Sequence, residues 1–124
     1  MDMEEQRMQG ETMRQYFQRM FGDEAKPDTS AIHRDELHAE VAKKILRAQA
    51  AELVKDGSAD STIRLENEPW TLTVVFRPEG TLSRSARLTL EKMRHNAHRS
   101  VLNEGIAPNT GMLAVTFYVY TFGA

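Results

Sequence analysis

The chain has 124 residues, of which 40% are hydrophobic and 27% are charged, and its formal net charge is −2. This length and composition are typical of one compact domain and exclude collagen-like, disordered and disulfide-stapled chains. Because the sequence contains no cysteine, it also excludes thiolate nucleophiles, redox-active cysteine pairs and thiolate zinc sites.

The sequence favours a cytoplasmic location. No segment approaches the roughly 18 consecutive apolar residues that a membrane span requires. Three of the first five residues are acidic, whereas a secretion signal would begin with basic residues. The absence of cysteine agrees with a reducing compartment. We therefore expect a cytoplasmic protein that has no membrane attachment.

A first helix is predicted over residues 4–21. Met13, Phe17 and Met20 recur at steps of four and three, which places them on one apolar side. Gly10 interrupts the first half of this helix, and that half is therefore expected to fray.

A second helix is predicted over residues 31–55, where helix-favouring alanine, lysine, arginine and glutamate are frequent. Gly57 supplies the stop expected just after the last turn. The apolar residues of this helix form two adjoining stripes, with Leu37, Val41, Ile45 and Ala48 on one and Ala42, Leu46 and Leu53 on the other. The opposite side carries mixed charges and is interpreted as a solvated surface.

Beyond residue 61 the apolar period changes from about 3.6 to two, which is typical of strands. Ile63 and Leu65 alternate with polar residues in the first strand. The second strand places Trp70, Leu72, Val74 and Phe76 on one face. Because only the four residues 66–69 separate the two strands, a hairpin is predicted.

A third helix is predicted over residues 82–102 and a final strand over residues 112–122. The helix is predicted from apolar residues that recur at steps of three and four and so form one stripe: Leu82, Ala86, Leu90, Met93, Ala97 and Val101. Turn-forming residues at 103–105 and 108–111 separate this helix from the final strand.

These elements predict an α+β fold with the order ααββαβ and a small three-stranded sheet. We expect the third helix to cross over one face, and the last strand to lie beside the first, antiparallel to it and parallel to the second. The sheet order 1-2-3 is the alternative. The linker composition of residues 22–29 suggests dividing the chain into an N-terminal helical arm and linker, residues 1–28, and a single α+β domain, residues 29–124.

The sequence predicts no catalytic, cofactor or metal site. It contains no GxSxG elbow, P-loop, GxGxxG loop or HExxH pattern. His95 and His98 are three residues apart on the predicted third helix, which supplies at most half of a metal site, and the four histidines are interpreted as exposed polar residues. We expect a protein without enzymatic activity, and a hydrolase or metal-dependent nuclease is the remaining alternative.

The charge is distributed unevenly along the chain. Residues 1–60 contain nine basic and thirteen acidic residues, a net charge of −4, whereas residues 61–124 contain seven and five, a net charge of +2. Basic residues cluster on the predicted third helix, at Arg84, Arg87, Arg94, His95, His98 and Arg99. This cationic face is interpreted as a solvated surface, a contact for an acidic protein, or a contact for nucleic-acid phosphates.

The final strand is the second surface of interest because it is apolar on both faces. Leu113, Val115, Phe117 and Val119 point one way, and Met112, Ala114, Tyr118, Tyr120 and Phe122 point the other way. Either helices of the same chain cover both faces or a second chain covers one of them. The apolar side of the first helix, with Met13, Phe17 and Met20, is predicted to pack either on its own sheet or on a neighbouring chain.

The favoured function is a non-enzymatic protein-protein interaction or assembly module that forms a homo-oligomer or binds another protein. Such a module would act as an assembly factor, an inhibitor or a structural subunit. Its partner-binding residues are predicted to be Met13, Phe17, Met20, Met112, Tyr118, Tyr120 and Phe122. The alternative is a small nucleic-acid-binding accessory protein that uses the basic face of helix 82–102.

Overall fold

A computed structural model of the chain describes residues 12–22, 36–67, 69–77, 82–103 and 112–120. Its elements in chain order are α1 (Met13–Phe21), α2 (Glu36–Lys55), β1 (Ser61–Leu65), β2 (Trp70–Phe76), α3 (Arg84–Asn96), β3 (Arg99–Asn103) and β4 (Leu113–Val119). These residues form three helices and one four-stranded antiparallel sheet, which confirms the predicted α+β class.

Local hydrogen bonds explain where the helices begin and end. Thr12 and Gln15 form a reciprocal capping box at the start of α1. The Ser83 hydroxyl accepts the backbone N–H of Ala86 and caps α3. After α2, Gly57 adopts a φ of 85°, a left-handed conformation that glycine tolerates best.

The strand order is β1-β2-β4-β3, so the predicted three-stranded arrangement is wrong in two respects. The sheet has a fourth strand, and β4 lies between β2 and β3, antiparallel to both, instead of beside β1. The predicted hairpin of β1 and β2 is confirmed. Because β4 is apolar on both faces, it belongs in the middle of the sheet, whereas the exposed strand β1 takes an edge.

The third helix is shorter than predicted. It ends at Asn96 instead of residue 102, and residues 99–103 form β3. Ala97 has extended dihedral angles, with φ −97° and ψ 152°, and the N–H of His98 donates to the carbonyl of Tyr118 in β4 at 2.9 Å. Pairing with β4 therefore replaces the last turns of the predicted helix.

The core lies between the three helices and one face of the sheet, here called the inner face. The inner face is formed in β2 by Trp70, Leu72, Val74 and Phe76 and in β4 by Leu113, Val115, Phe117 and Val119. α1 belongs to this core, because Phe17 is fully buried and its ring centroid lies 4.7 Å from that of Phe76.

The second helix buries only one of its two predicted stripes. Ala42, Leu46 and Leu53 of one stripe are buried in the core. The adjoining stripe lies at the surface, since Val41 is 46% exposed and Ile45 is 39% exposed. One side of a helix about 10 Å wide suffices to cover its share of the sheet, so the flank remains at the surface.

Some predicted features lie outside the described residues. They are the first half of the first helix up to residue 11, the linker after Gly22, the start of the second helix, the turn at 108–111, and Phe122. The proposed domain boundary at residue 28 also lies there and stays a prediction.

Candidate interaction surface

The face of the sheet opposite the core, here called the outer face, carries no described helix. The strand pairings place on it Ser61, Ile63 and Leu65 of β1, Thr71, Thr73 and Val75 of β2, Ala114, Thr116 and Tyr118 of β4, and Arg99, Val101 and Asn103 of β3. The buried residues of all three described helices belong instead to the core on the inner face. None of the described helices therefore packs on the outer face.

Three half-buried side chains form a cluster on the outer face at the β3–β4 side, and we call it the tyrosine cluster. It consists of Arg99, Tyr118 and Tyr120. The rings of the two tyrosines are stacked, with centroids 6.5 Å apart and an interplanar angle of 18°. The Arg99 guanidinium carbon lies 5.3 Å from the centre of the Tyr118 ring, within range of a cation–π interaction.

A buried histidine supports the cluster from the side. His98 is only 4% exposed, and its ring centroid lies 5.6 Å from that of Tyr120. The backbone N–H of Tyr120 donates to Nδ1 of His98 at 3.2 Å. This hydrogen bond ties the end of β4 to the buried His98 ring.

The middle of the outer face is lined by small side chains. Thr71, Thr73 and Thr116 are each no more than 9% exposed, and Ala114 is almost completely buried. The hydroxyls of Thr73 and Thr116 form a buried hydrogen bond of 2.9 Å across β2 and β4. The middle of the outer face is therefore already buried within the chain, and its accessible side chains lie at its two sides, in the tyrosine cluster and on β1.

The opposite edge of the outer face is aliphatic. Ile63 is 50% exposed and Leu65 is 55% exposed, and both lie on the edge strand β1. The sequence predicted the alternation of β1 but not this exposure, because exposure depends on the place of the strand in the sheet. Sequence reasoning therefore missed these two residues as surface residues.

The predicted partner-binding residues separate into two groups. Met112, Tyr118 and Tyr120 are half-buried and lie on or beside the outer face, as their spacing predicted. In contrast, Met13, Phe17 and Met20 are buried in the core of the same chain, which is the intramolecular alternative for the first helix. Phe122 lies outside the described residues.

The predicted cationic face is less continuous than expected. Arg84, Arg87, Arg94 and His95 lie on α3, whereas Arg99 lies on β3. His98 was predicted to be exposed on a helix, but it is buried after the helix ends, so its place on this face is corrected. The Arg87 guanidinium carbon lies 5.8 Å from the centre of the buried Tyr16 ring, which ties this residue to α1.

A groove of about 330 Å³ runs beside α3. Met20 and Leu88 form the apolar part of its lining. The polar part consists of Lys92, Arg94, His95 and the acid Glu91. The groove brings two residues of the predicted cationic face, Arg94 and His95, together with an exposed leucine. It could hold an anionic group with an apolar neighbour.

Two kinds of site were sought among the described residues, a cluster of metal ligands and a membrane-spanning helix. Among these residues, no three histidine, aspartate or glutamate side chains come together in a way that would hold a metal ion. No helix in the same described ranges is long and apolar enough to cross a membrane.

Comparison with known proteins gives no relative from which a family or an activity could be taken. Family models, curated protein sequences and solved structures were all searched, and none matched this chain.

Proposed function

We propose that this protein is a non-enzymatic, cytoplasmic interaction module that forms a homo-oligomer through the outer face of its sheet. The observation that carries the proposal is the tyrosine cluster, which lies on a sheet face where no described helix packs. In this role the chain would act as a structural subunit, an assembly factor or an inhibitor.

The residue types in the cluster support a protein contact. Tyrosine and arginine are enriched among the residues that contribute most binding energy at interfaces. Each tyrosine brings a large contact area with few rotatable bonds. Tyr118 is already held between Tyr120 and Arg99, so little side-chain entropy remains to be lost when a partner binds.

The shape of the outer face supports a partner of the same kind. A two-fold contact between identical chains requires that one surface present both a protruding and a receiving part. The outer face offers two different accessible parts, the half-buried tyrosine cluster at one side and the exposed Ile63 and Leu65 of β1 at the other, so the aromatic part of one copy can meet the aliphatic part of a second copy.

The proposal uses the C-terminal strand and not the N-terminal helical arm. Met13, Phe17 and Met20 already cover the inner face of their own sheet. Releasing them to a second chain would expose their apolar surface before any new contact formed.

Sedimentation equilibrium of the native chain, Tyr118→Ala and Leu88→Ala tests this proposal. We expect concentration-dependent association of the native chain and at least a tenfold weaker association of Tyr118→Ala, which corresponds to about 1.4 kcal/mol. Leu88→Ala is the matched control, because Leu88 is 52% exposed on α3 and removed from the outer face. A native chain that stays monomeric, or equal behaviour of the two variants, would reject the proposal.

A second candidate function is the binding of nucleic-acid phosphates by the groove beside α3. The observation that favours it is the convergence of Lys92, Arg94 and His95 on one groove. Cationic side chains that contact phosphates displace counterions, which makes binding weaker as salt increases.

Binding of a labelled oligonucleotide at several salt concentrations tests this second candidate. The double variant Lys92→Ala/Arg94→Ala should weaken binding. It should also reduce the slope of log K against log salt concentration by about two, the value expected for two lost phosphate contacts. Lys44→Ala, an exposed change on α2, is the control for lost charge. Binding that is absent, or equal in both variants, would exclude the groove as a nucleic-acid site.

A further inference from the structure

The edge strand β1 offers a second possible contact, through its backbone at the edge of the sheet and not through the outer face. Among the described strands, β1 pairs only with β2. All five of its residues are exposed, including the large aliphatic residues Ile63 and Leu65. An exposed edge strand presents unpaired backbone N–H and C=O groups that can pair with another strand.

We infer that β1 pairs antiparallel with β1 of a second copy of this chain, around a two-fold axis at Thr62. The two sheets would then join into one sheet of eight strands, with the helices of both copies on the same side. This inference goes beyond the proposed function, because it concerns the edge of the sheet and not its outer face.

Symmetry restricts the ways in which two copies of β1 can pair. A two-fold axis that relates two neighbouring antiparallel strands is perpendicular to the sheet. Rotation about it leaves each side chain on the same face of the sheet, and directly opposed residues must share a face. The axis must therefore pass through a residue. Only Thr62, Ile63 and Arg64 give an overlap of at least three residues within β1.

The charges around β1 distinguish these three axes. An axis at Arg64 places Arg64 opposite the partner's Arg64. An axis at Ile63 places Asp60 opposite the partner's Glu66. An axis at Thr62 instead places Asp60 opposite the partner's Arg64, and it does so twice by symmetry. Opposite charges directly across a strand pair are stabilising and like charges are destabilising, so the Thr62 axis is favoured.

Two ion pairs within the chain strengthen this argument. Asp60 Oδ1 lies 2.7 Å from Arg77 Nη2, and Arg64 Nε lies 2.6 Å from Glu66 Oε1. With the axis at Thr62, the charges at each end alternate in sign along Arg77, Asp60, the partner's Arg64 and the partner's Glu66. With the axis at Ile63, the two acids meet in the middle of the row.

The backbone and the apolar side chains fit the same axis. The N–H of Asp60 donates at 2.7 Å to the carbonyl of Val75, the residue that also pairs with Ser61, so Asp60 stays beside β2 at the start of β1. Residues 61–63 of the two copies can therefore pair, with Asp60 of each copy next to Arg64 of the other. Ile63 would oppose the small Ser61 of the partner and lie diagonally across from the partner's Ile63, within reach of a branched side chain.

Because the chain contains no cysteine, single cysteines report the pairing directly. At the proposed axis, the two Thr62 positions face each other at a Cβ distance of about 4.5–5.5 Å, close to what a disulfide requires. Under mild oxidation we expect Thr62→Cys to form a covalent dimer at least tenfold faster than Ile63→Cys. Absence of the Thr62→Cys dimer, or faster dimerisation of Ile63→Cys, would overturn the inference.

A charge exchange tests the same contact without a disulfide. Arg64→Asp and Asp60→Arg each place like charges opposite each other in a self-pair, whereas a mixture of the two variants restores both attractive pairs. Made in the Tyr118→Ala chain, each variant alone should be monomeric and the mixture should be dimeric. Loss of folding in one variant cannot produce association in the mixture, so a dimeric mixture supports the inference. A mixture that stays monomeric while both variants keep the native circular dichroism spectrum overturns it.

These results separate the edge contact from the proposed outer-face contact. If only the edge pairs, Thr62→Cys forms the disulfide and Tyr118→Ala leaves the native mass unchanged. If only the outer face associates, Tyr118→Ala lowers the mass and no Thr62→Cys dimer forms, which overturns this inference and leaves the proposed function intact.

Discussion

Replacing Phe17 with alanine tests whether α1 is part of the core of its own chain. The Phe17 ring is fully buried, and its centroid lies 4.7 Å from that of Phe76 on β2 and 5.5 Å from that of Tyr16. Burial of a phenylalanine side chain contributes about 1.5–3 kcal/mol. The cavity left by its removal raises the cost of Phe→Ala in a core to about 3–5 kcal/mol.

We therefore expect Phe17→Ala to lower the free energy of unfolding by about 4 kcal/mol, a large part of the roughly 5–15 kcal/mol typical of a domain. Urea denaturation followed by the fluorescence of Trp70, the single tryptophan, measures this change. It should be measured at concentrations where light scattering shows single chains.

The matched control is Leu88→Ala, which changes an exposed residue and should alter the free energy of unfolding by less than about 0.5 kcal/mol. A loss below about 1 kcal/mol for Phe17→Ala would refute the reasoning, because a ring removed from a packed core cannot cost so little.

Three further predictions concern the stability of the fold, each measured as a free energy of unfolding. Thr73→Val should cost about 1–3 kcal/mol because it leaves the buried Thr116 hydroxyl without its partner. The double variant Thr73→Val/Thr116→Val should recover most of this loss. Equal losses in the single and double variants would contradict the role of the hydrogen bond. Gly57→Ala should cost about 1 kcal/mol through its φ of 85°, although a Cβ there would meet no neighbour, and no loss would show that the turn adopts another conformation. Ser83→Ala should cost about 1 kcal/mol by removing the cap of α3, whereas Ser83→Asp should keep most of the stability, and a neutral Ser83→Ala would count against the cap.

The strands β2 and β4 were predicted well because their apolar residues alternate clearly along the sequence. The alternation from Trp70 to Phe76 gave the bounds of β2 and its inner face. In β4, the two apolar faces were predicted correctly because side chains of a strand alternate regardless of its neighbours.

The end of α3 was not predictable from the local pattern. Ala97 and Val101 continue the helical stripe, and no glycine or proline marks the end at Asn96. The chain leaves the helix because residues 99–103 pair with β4, and that pairing depends on a strand that follows later in the sequence. Local propensity is weak beside such a tertiary contact.

The candidate surface was predicted only in part for the same reason. Tyr118 and Tyr120 were placed correctly on one face of the final strand. Arg99 was assigned to the cationic helix face, and only the pairing of β3 with β4 brings it over Tyr118. A contact between two strands cannot be read from a sequence when one of those strands is interpreted as helix.

An amide spectrum recorded by NMR during dilution of the native chain tests the outer-face interface most directly. We predict that the amide signals of Arg99, Tyr118 and Tyr120 shift as the chain dissociates, while those of Val41 and Ile45 on the exposed side of α2 stay in place. Shifts confined to α2 or α3, or a spectrum that does not change with concentration, would contradict the account.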